Sequence, residues 1–267
     1  MSHVKIDRVD ISVSRLGFGT ASLHHQFGAK ARREVLKTAI ECGITHFDTS
    51  PYYGYGLAEH DLGHVLKKRR SSFTITTKFG LYPNGGYSSS SFGLWSRKIA
   101  GKILKNNSDP LKIWDIKSAK LSLEASLTRL QCDYIDFLLL HEPIETDINT
   151  EEMVEWLEAE KSKGSIRAWG LAGLKESIDP FIGNHSGLDN VIQTKDCVEQ
   201  HEADFLIQSG RKLQFTYGYL SSSKIRNMHM PFSSILKKAF QRNTDGSIII
   251  SSNNPHHIIE LSRTLEP

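Results

Sequence analysis

Four polar residues in the sequence have the side-chain types of a proton-transfer site: Asp48, Tyr53, Lys78 and His141. A tyrosine with its ordinary pKa of about 10 is a poor acid at neutral pH, but a neighbouring ammonium group lowers that pKa because it favours the phenolate. Lys78 could supply the ammonium, and Asp48 could supply the counter-charge that a buried ammonium needs. His141 could then hydrogen-bond the reacting oxygen. The set is typical of general acid/base chemistry.

Three of these residues stand at the ends of predicted strands, and Tyr53 follows Asp48 by five positions in the run FDTSPYYG. In a barrel of parallel strands such ends surround one mouth, so residues that are distant in sequence converge. Each residue alone also has an ordinary interpretation. Asp48 could cap a turn, Lys78 could be a solvated strand end, and His141 could be a hydrogen-bonded interior histidine. It is the joint pattern that favours chemistry.

The elements that would position these residues alternate along the chain, with short apolar runs followed by amphipathic helical stretches. The predicted strands cover residues 15–19, 45–48, 74–78, 135–141, 166–171, 190–193, 213–217 and 247–250. The predicted helices cover residues 31–42, 57–67, 117–130, 151–163, 176–182, 198–207, 232–242 and 255–265. Because parallel strands need crossover connections, which are usually helical, these strand–helix units predict a closed (β/α)₈ barrel.

We interpret residues 1–267 as a single α/β domain with the TIM-barrel architecture, since no linker or break in composition divides the chain. The alternative is an open doubly wound sheet, but the run GFGT at 17–20 lacks the third glycine of a G-x-G-x-x-G turn. The opening run VKIDRVDISVS alternates apolar and polar residues, which predicts an N-terminal β-hairpin across the bottom of the barrel.

Composition argues against several classes of protein. A formal net charge of +3 and a mean hydropathy of −0.34 indicate neither a nucleic-acid partner nor a membrane partner. The N-terminus lacks the apolar core of a signal peptide and the three cysteines form no CxxC pair, so we expect a cytoplasmic protein without disulfides. His60 and His64 have a spacing that could bind metal, but no third ligand accompanies them, and we predict no metal site.

Two long loops follow predicted strands, at 79–114 and 218–231. The first holds a serine tract and scattered aromatic residues, and its stretch 94–104 predicts a short amphipathic helix. Such a loop is either a surface insertion or a lid over a site.

The runs FDTSPYYG, TTKFG, SLEASLTRLQCDYIDFLLLHEP and RAWGLAG, in this order and spacing, resemble the aldo-keto reductase family. The resemblance extends over nearly the whole chain and implies a (β/α)₈ barrel. It implies that Tyr53 is the general acid/base, that Lys78 lowers its pKa and that Asp48 is the partner of Lys78. It further implies that His141 orients the carbonyl group of the substrate.

The resemblance also implies a nicotinamide cofactor, NADP or NAD, held without a Rossmann fold. In this reading Gly19 and Thr20 lie under the cofactor, Gln193 hydrogen-bonds its carboxamide and Tyr217 stacks on its ring, with the phosphates near the start of the last helix. The cofactor-binding residues so implied are Gly19, Thr20, Asp48, Gln193, Tyr217, Leu220, Ser251, Ser252, Asn253 and His257.

Two departures from the family pattern concern the cofactor. Many members have Ser-Asn after the fifth strand, where this chain has Ala172-Gly173, so part of the carboxamide contact is lost. Many NADP-preferring members have Lys and Arg around the last strand–helix turn, where this chain has Ser251 and His257. Because Arg and Lys are the best partners of a phosphate monoester, this difference weakens the case for NADP and keeps NAD open.

The function that the resemblance implies is hydride transfer between the dinucleotide and a carbonyl or alcohol substrate, as in an aldehyde or ketone reductase or a sugar or lactol dehydrogenase. The substrate would be a small molecule. The alternative is a regulatory or sensor barrel that binds the cofactor without significant turnover.

Overall fold

The structure is a computed structural model that describes residues 1–84, 109–184, 186–221 and 231–264. Its centre is a closed barrel of parallel strands in the order β3-β4-β5-β8-β9-β10-β11-β12, with β12 paired to β3. In chain order the strands are β1 (His3–Lys5), β2 (Ser12–Ser14), β3 (Leu16–Gly19), β4 (His46–Asp48), β5 (Thr74–Phe79), β6 (Leu81–Tyr82), β7 (Leu111–Lys112), β8 (Ile135–His141), β9 (Ile166–Gly173), β10 (Val191–Lys195), β11 (Phe215–Tyr217) and β12 (Ser247–Ile250). The predicted (β/α)₈ barrel is confirmed.

The helices surround the barrel. Those of the described residues are α1 (Ala29–Glu41), α2 (Leu57–Leu66), α3 (Ile116–Leu130), α4 (Thr150–Lys163), α5 (Lys175–Gly183), α6 (Asp204–Gln208), α7 (Phe232–Arg242) and α8 (Pro255–Arg263). Side chains cap several of them: Asp115 accepts a hydrogen bond from the backbone of Ser118 at the start of α3, and Asn149 accepts one from Glu152 at the start of α4. Helix α4 ends at Gly164, whose φ of 81° is the left-handed conformation that glycine tolerates.

Two apolar cores hold these layers together. The larger one lies between the strands and the surrounding helices. The smaller one fills the barrel with residues that include Phe137 and Phe215, and it continues into the N-terminal hairpin formed by β1 and β2 through Ile6, Ile11 and Val13. The predicted hairpin is therefore confirmed, and its apolar side chains close one end of the barrel interior.

The structure differs from the sequence prediction in two places. The helix predicted over 198–207 is much shorter, because His201 has a φ of 52° and interrupts the right-handed backbone before α6 begins at Asp204. The loop predicted over 79–114 begins and ends in a two-stranded antiparallel ribbon, β6 with β7. The helix predicted over 94–104 lies outside the described residues.

Within the described ranges, no helix is both long enough and apolar enough to cross a lipid bilayer. The same residues contain no group of three or more His, Cys, Asp or Glu side chains placed to hold a metal ion.

His46 is an ionisable residue buried inside the barrel. Its ring stacks on Phe215 with 4.8 Å between centroids and meets Phe137 edge-on at 5.8 Å. Its Nδ1 lies 2.9 Å from the hydroxyl of Thr74. Burial, followed by the charge of Lys78, lowers the pKa of His46 to about 3, so the ring is neutral in the folded protein at neutral pH.

We predict that this histidine makes the folded protein sensitive to acid. In the unfolded chain a histidine has a pKa of about 6.5. Between about pH 6.5 and pH 3 this histidine is therefore protonated in the unfolded state and neutral in the folded state. The free energy of unfolding therefore falls as the pH falls, by about 1.4 kcal/mol per pH unit for this one group. Denaturant unfolding of the wild type and of His46→Gln across this pH range measures the slope.

The variant should lose about that much of the slope, whatever its stability at neutral pH. His141, whose pKa burial also lowers, contributes equally to both proteins. Identical slopes in the two proteins would show that His46 takes up no proton on unfolding.

Candidate active site

Adjacent barrel strands bring the predicted proton-transfer residues together. Asp48 ends β4, Lys78 lies near the end of β5 and His141 ends β8, and these three strands are neighbours in the barrel. Tyr53 follows β4 in the tight turn Tyr53–Gly56, in which residues 54, 55 and 56 have φ angles of 61°, 59° and 86°. This turn returns the chain to the mouth of the barrel, so that Tyr53 lines the same cavity as the other three residues.

The amine of Lys78 is the centre of the site. It donates to Asp48 Oδ1 at 2.6 Å, to the carbonyl of Thr49 at 3.0 Å and to Tyr53 Oη at 3.4 Å. An ammonium has three N–H donors, so all three have a partner. Because the oxygen of Tyr53 accepts from Lys78, the phenolic hydrogen remains for a different acceptor.

Burial shifts the pKa values of both Lys78 and Tyr53. It lowers the pKa of Lys78, an effect that the Asp48 carboxylate opposes. It also raises the pKa of Tyr53 well above 10, and the carboxylates of Asp48 and Glu142 act in the same direction. Tyr53 is therefore a protonated phenol at neutral pH, and it can act as an acid only if the phenolate is stabilised as it forms. The implied lowering of its pKa by Lys78 stays a prediction, since burial is the larger effect in this structure.

His141 faces Tyr53 across the cavity. The two rings meet edge-on, with 6.0 Å between centroids and an angle of 88°. Nδ1 of His141 lies 3.4 Å from the hydroxyl of Ser50, and the indole of Trp114 donates to its carbonyl at 3.3 Å. Burial, and then the charge of Lys78, lowers the pKa of His141 well below 6.5, so the ring is a neutral imidazole with one N–H to donate.

These residues line a cavity of about 250 Å³ at the carboxyl ends of the strands. Nine residues proposed from the sequence reach it: Gly19, Asp48, Tyr53, Lys78, His141, Gln193, Tyr217, Leu220 and Ser251. Its wall also contains Glu142, Ala172 and Gly173. The sequence analysis did not propose Glu142 as a site residue, although its place directly after His141 at a strand end was the signal that could have found it.

The other predicted cofactor residues lie away from the cavity. Thr20 is fully buried, and its hydroxyl lies within hydrogen-bond distance of the carbonyl of Asp48 at 3.1 Å and of Thr49 Oγ1 at 2.9 Å. Asn253 and His257 are exposed beside the start of α8, and Ser252 is half-buried there. Helix α8 is capped by Asn254, which accepts from the backbone of His256 at 3.0 Å.

Gln193 has the one orphaned acceptor of this cavity among the described residues. Its Nε2 donates to Asp48 Oδ1 at 2.8 Å, which fixes the orientation of the amide because a carboxylate only accepts. Its Oε1 is buried without a hydrogen-bond partner. An unpaired buried acceptor is costly, so the position is suited to a ligand with an N–H group. The carboxamide of a nicotinamide ring has such a group.

Gly19 and Tyr217 complete a surface for a flat ring. A Cβ atom at Gly19 would stand 3.0 Å from Ile249 Cγ2 and 3.8 Å from Ser251 Cβ, and all three residues line the cavity, so a side chain at position 19 would crowd its wall. Tyr217 ends β11 and is half-buried, so its aromatic face can pack against a ring in the cavity. The residues present fit a nicotinamide group.

Comparisons with known proteins identify the family to which the chain is similar. The chain matches the model of the Aldo/keto reductase family over residues 15–179. It is 32% identical to L-galactose dehydrogenase of Arabidopsis thaliana over 181 residues, which are 64% of this chain and 48% of that protein. It is 31% identical to D-threo-aldose 1-dehydrogenase of a Pseudomonas species over 178 residues, which are 61% of this chain and 51% of that protein.

A third relative, the NADH-specific methylglyoxal reductase of Escherichia coli (strain K12), is 31% identical over 191 residues, which are 65% of this chain and 52% of that protein. The chain thus spans about half the length of the curated relatives it matches. Among solved structures, an aldo-keto reductase from Bacillus halodurans in its holo form has a TM-score of 0.75 at 20% identity, over 100% of this chain and 91% of that chain, which shows the shared fold.

The family model covers more than half of the chain, and the closed parallel barrel is the fold shared with the matched structures. The chain belongs to the aldo/keto reductase family.

Proposed function

We propose that this chain binds a nicotinamide dinucleotide, NADP or NAD, and catalyses hydride transfer between it and the carbonyl or alcohol group of a small-molecule substrate. The observation that carries the proposal is the contact of the Lys78 amine with both Asp48 and Tyr53 inside the cavity. It supports the proposal because the ammonium of Lys78 stands beside the phenol of Tyr53 and can stabilise the phenolate.

Each residue of the set has a role in the proposed reaction. When bound, the dinucleotide supplies or accepts the hydride. Tyr53 donates a proton to the substrate oxygen in reduction and takes it back in oxidation. Lys78 stabilises the phenolate that results, and Asp48 keeps Lys78 charged. The neutral imidazole of His141 donates a hydrogen bond to the same oxygen and so orients the carbonyl group.

The proposed cofactor site uses Gln193 for the carboxamide, with Gly19 and Tyr217 on either side of the ring. Leu220 and Ser251 extend the lining away from the proton-transfer residues. Beyond them, the backbone N–H groups at the start of α8 are a suitable place for phosphate.

The proposed substrate is a small aldehyde, ketone, sugar or lactol. The names of the matched relatives, an L-galactose dehydrogenase, an aldose 1-dehydrogenase and a methylglyoxal reductase, support this range. A reducing, cytoplasmic location remains part of the proposal, supported by three free cysteines, Cys42, Cys132 and Cys197. The sensor alternative is not favoured, because the proton-transfer contacts are complete. Steady turnover of a reactive aldehyde with NADPH or NADH separates the two, since a sensor would bind the dinucleotide and turn over negligibly.

We predict that Tyr53→Phe, which keeps the ring and removes the proton, lowers kcat by at least about 10²- to 10⁴-fold, the usual value of general acid catalysis. Dinucleotide affinity should be nearly unchanged, because the ring still lines the cavity. Turnover and a fluorescence titration measure the two quantities. Tyr52→Phe is the matched control, since its neighbouring hydroxyl does not line the cavity. Near-full activity in Tyr53→Phe would rule out this mechanism.

We predict that Lys78→Met raises the apparent pKa of the Tyr53 step, because the positive charge is gone and Asp48 is left uncompensated. The alkaline limb of the pH–rate profile for reduction should move to higher pH. Oxidation, which needs the phenolate, should slow about tenfold at fixed pH for each unit of that shift. The double variant Asp48→Asn/Lys78→Met removes both charges and should shift the profile less. An unshifted profile in Lys78→Met would show that Lys78 does not tune the acid.

We predict that His257→Arg raises NADPH affinity about 10- to 100-fold, the value of one added charge-assisted hydrogen bond, and changes NADH affinity much less. His257 is exposed near the start of α8, where the wild type has no Lys or Arg before Arg263. Fluorescence titration with both dinucleotides measures the effect, with His256→Arg as a control of equal charge. Equal changes for NADPH and NADH would show that the 2′-phosphate is recognised elsewhere.

A further inference from the structure

Glu142 is an acid in the cavity wall that the proposed reaction does not use. It directly follows His141, and its backbone has a φ of 46°, a left-handed conformation that glutamate rarely adopts. Its backbone N–H donates to the carbonyl of Ala172 at 2.7 Å, which holds that conformation. A strained residue that is held firmly at a site is a candidate for function.

The side chain of Glu142 is also held in place. Its Oε2 accepts from the hydroxyl of Ser177 at 3.1 Å and from the backbone of Leu174, just before α5, at 3.4 Å. A Cβ atom at Gly173 would lie 2.9 Å from Glu142 Oε2 and 2.3 Å from Ser177 Oγ. The carboxylate therefore occupies space that any side chain at position 173 would need.

Glu142 differs in its pairing from the buried acids of the protein. Glu142 is half-buried, whereas every buried Asp or Glu of the described ranges has a Lys or Arg within ion-pair distance: Asp48, Glu59, Asp61, Asp136, Glu160, Asp189 and Asp196. Glu142 has no such cation among the described residues. On its outer side it shares a surface groove with Lys112, Glu145 and Glu176, none of which forms an ion pair with it.

The negative charge of Glu142 is therefore not neutralised by any described side chain. Asp48 and Lys78 cancel each other at 2.6 Å, and the pair formed by Lys195 and Glu202 nearby cancels at 2.7 Å. The carboxylate acts on both sides of the cavity, because it contributes to the raised pKa of Tyr53 and to that of Tyr217, although burial is the larger cause in each.

The two redox forms of a nicotinamide dinucleotide differ in the charge of one ring: the oxidised ring is positive and the reduced ring is neutral. We propose that Glu142 stabilises the bound oxidised form relative to the reduced form, and so makes the bound reduced dinucleotide a stronger hydride donor, which favours substrate reduction at this site. The inference rests on the proposed function, because it requires a dinucleotide in the cavity. It is carried by the unpaired carboxylate in the wall of a cavity whose other described charges cancel.

The size of the effect follows from Coulomb's law. Opposite charges about 6 to 12 Å apart at an effective dielectric constant of about 20 interact strongly enough to change an affinity about 10- to 100-fold. The phosphates, riboses and adenine are the same in both redox forms, so the ratio of the two affinities isolates the charge of the ring.

The test is the ratio of oxidised to reduced dinucleotide affinity, measured by calorimetry without turnover. We expect Glu142→Gln, which keeps the shape and removes the charge, to lower this ratio about 10- to 100-fold. Glu142→Asn is a second neutral variant that folds at least as readily, since asparagine tolerates the left-handed backbone. Glu176→Gln, an equal change of charge outside the cavity, should leave the ratio unchanged.

If both neutral variants keep the wild-type ratio, whether or not the affinities for the oxidised and reduced forms change together, the inference is overturned and the proposed function stands. A wild-type protein that binds neither form of NADP nor of NAD overturns the proposed function and this inference with it.

Discussion

The buried ion pair of Lys78 and Asp48 is the interaction on which the site depends. Removing both ions from water is costly, and their attraction offsets that cost only when geometry is good and the remaining hydrogen-bonding groups have partners. Here the ammonium uses all three donors, and Asp48 Oδ1 accepts from both Lys78 and Gln193. One carboxylate oxygen thereby joins Lys78, which contacts the proposed proton donor Tyr53, to Gln193, the residue proposed to bind the carboxamide. The pair is a positioning device as much as an electrostatic one.

The surrounding scaffold repeats this use of paired buried charge. Glu59 on α2 accepts hydrogen bonds from Thr77 on β5 and from Arg129 on α3, each at 2.6 Å. Thr77 directly precedes Lys78 in the chain. Asp136 on β8 pairs with Arg70 at 2.7 Å and with Arg167 on β9 at 2.6 Å. These contacts join strands to helices and strands to one another, and each carboxylate charge is neutralised by an arginine. Against this background the unpaired carboxylate of Glu142 stands apart, because its charge remains available to a ligand.

Much of the fold was predictable because it follows from local chemistry. Apolar runs ending in polar residues, alternating with amphipathic stretches, specify parallel strands and crossover helices, and the helix predicted over residues 151–163 ends at Gly164 in the structure. The failures have equally local causes. The stretch before α6 has helical composition, but the left-handed backbone of His201 is set by the turn around it, which propensity does not describe. The ribbon of β6 and β7 joins residues that are far apart in sequence, and neither two-residue strand has a periodicity to detect.

The amino-acid sequence by itself determined the barrel and brought Asp48, Lys78 and His141, three of the four residues proposed for proton transfer, to one mouth, because strand ends in a closed parallel barrel must meet there. Tertiary structure alone decided how their charges are used. Burial and contacts between separate strands decide that Lys78 reaches Tyr53 and that the side-chain oxygen of Gln193 has no hydrogen-bond partner. They also decide that Glu142 directs its carboxylate toward Ser177. The physical reason is that a pKa or an orphaned hydrogen bond belongs to an environment assembled from distant parts of the chain, whereas strand and helix periodicity belong to neighbouring residues.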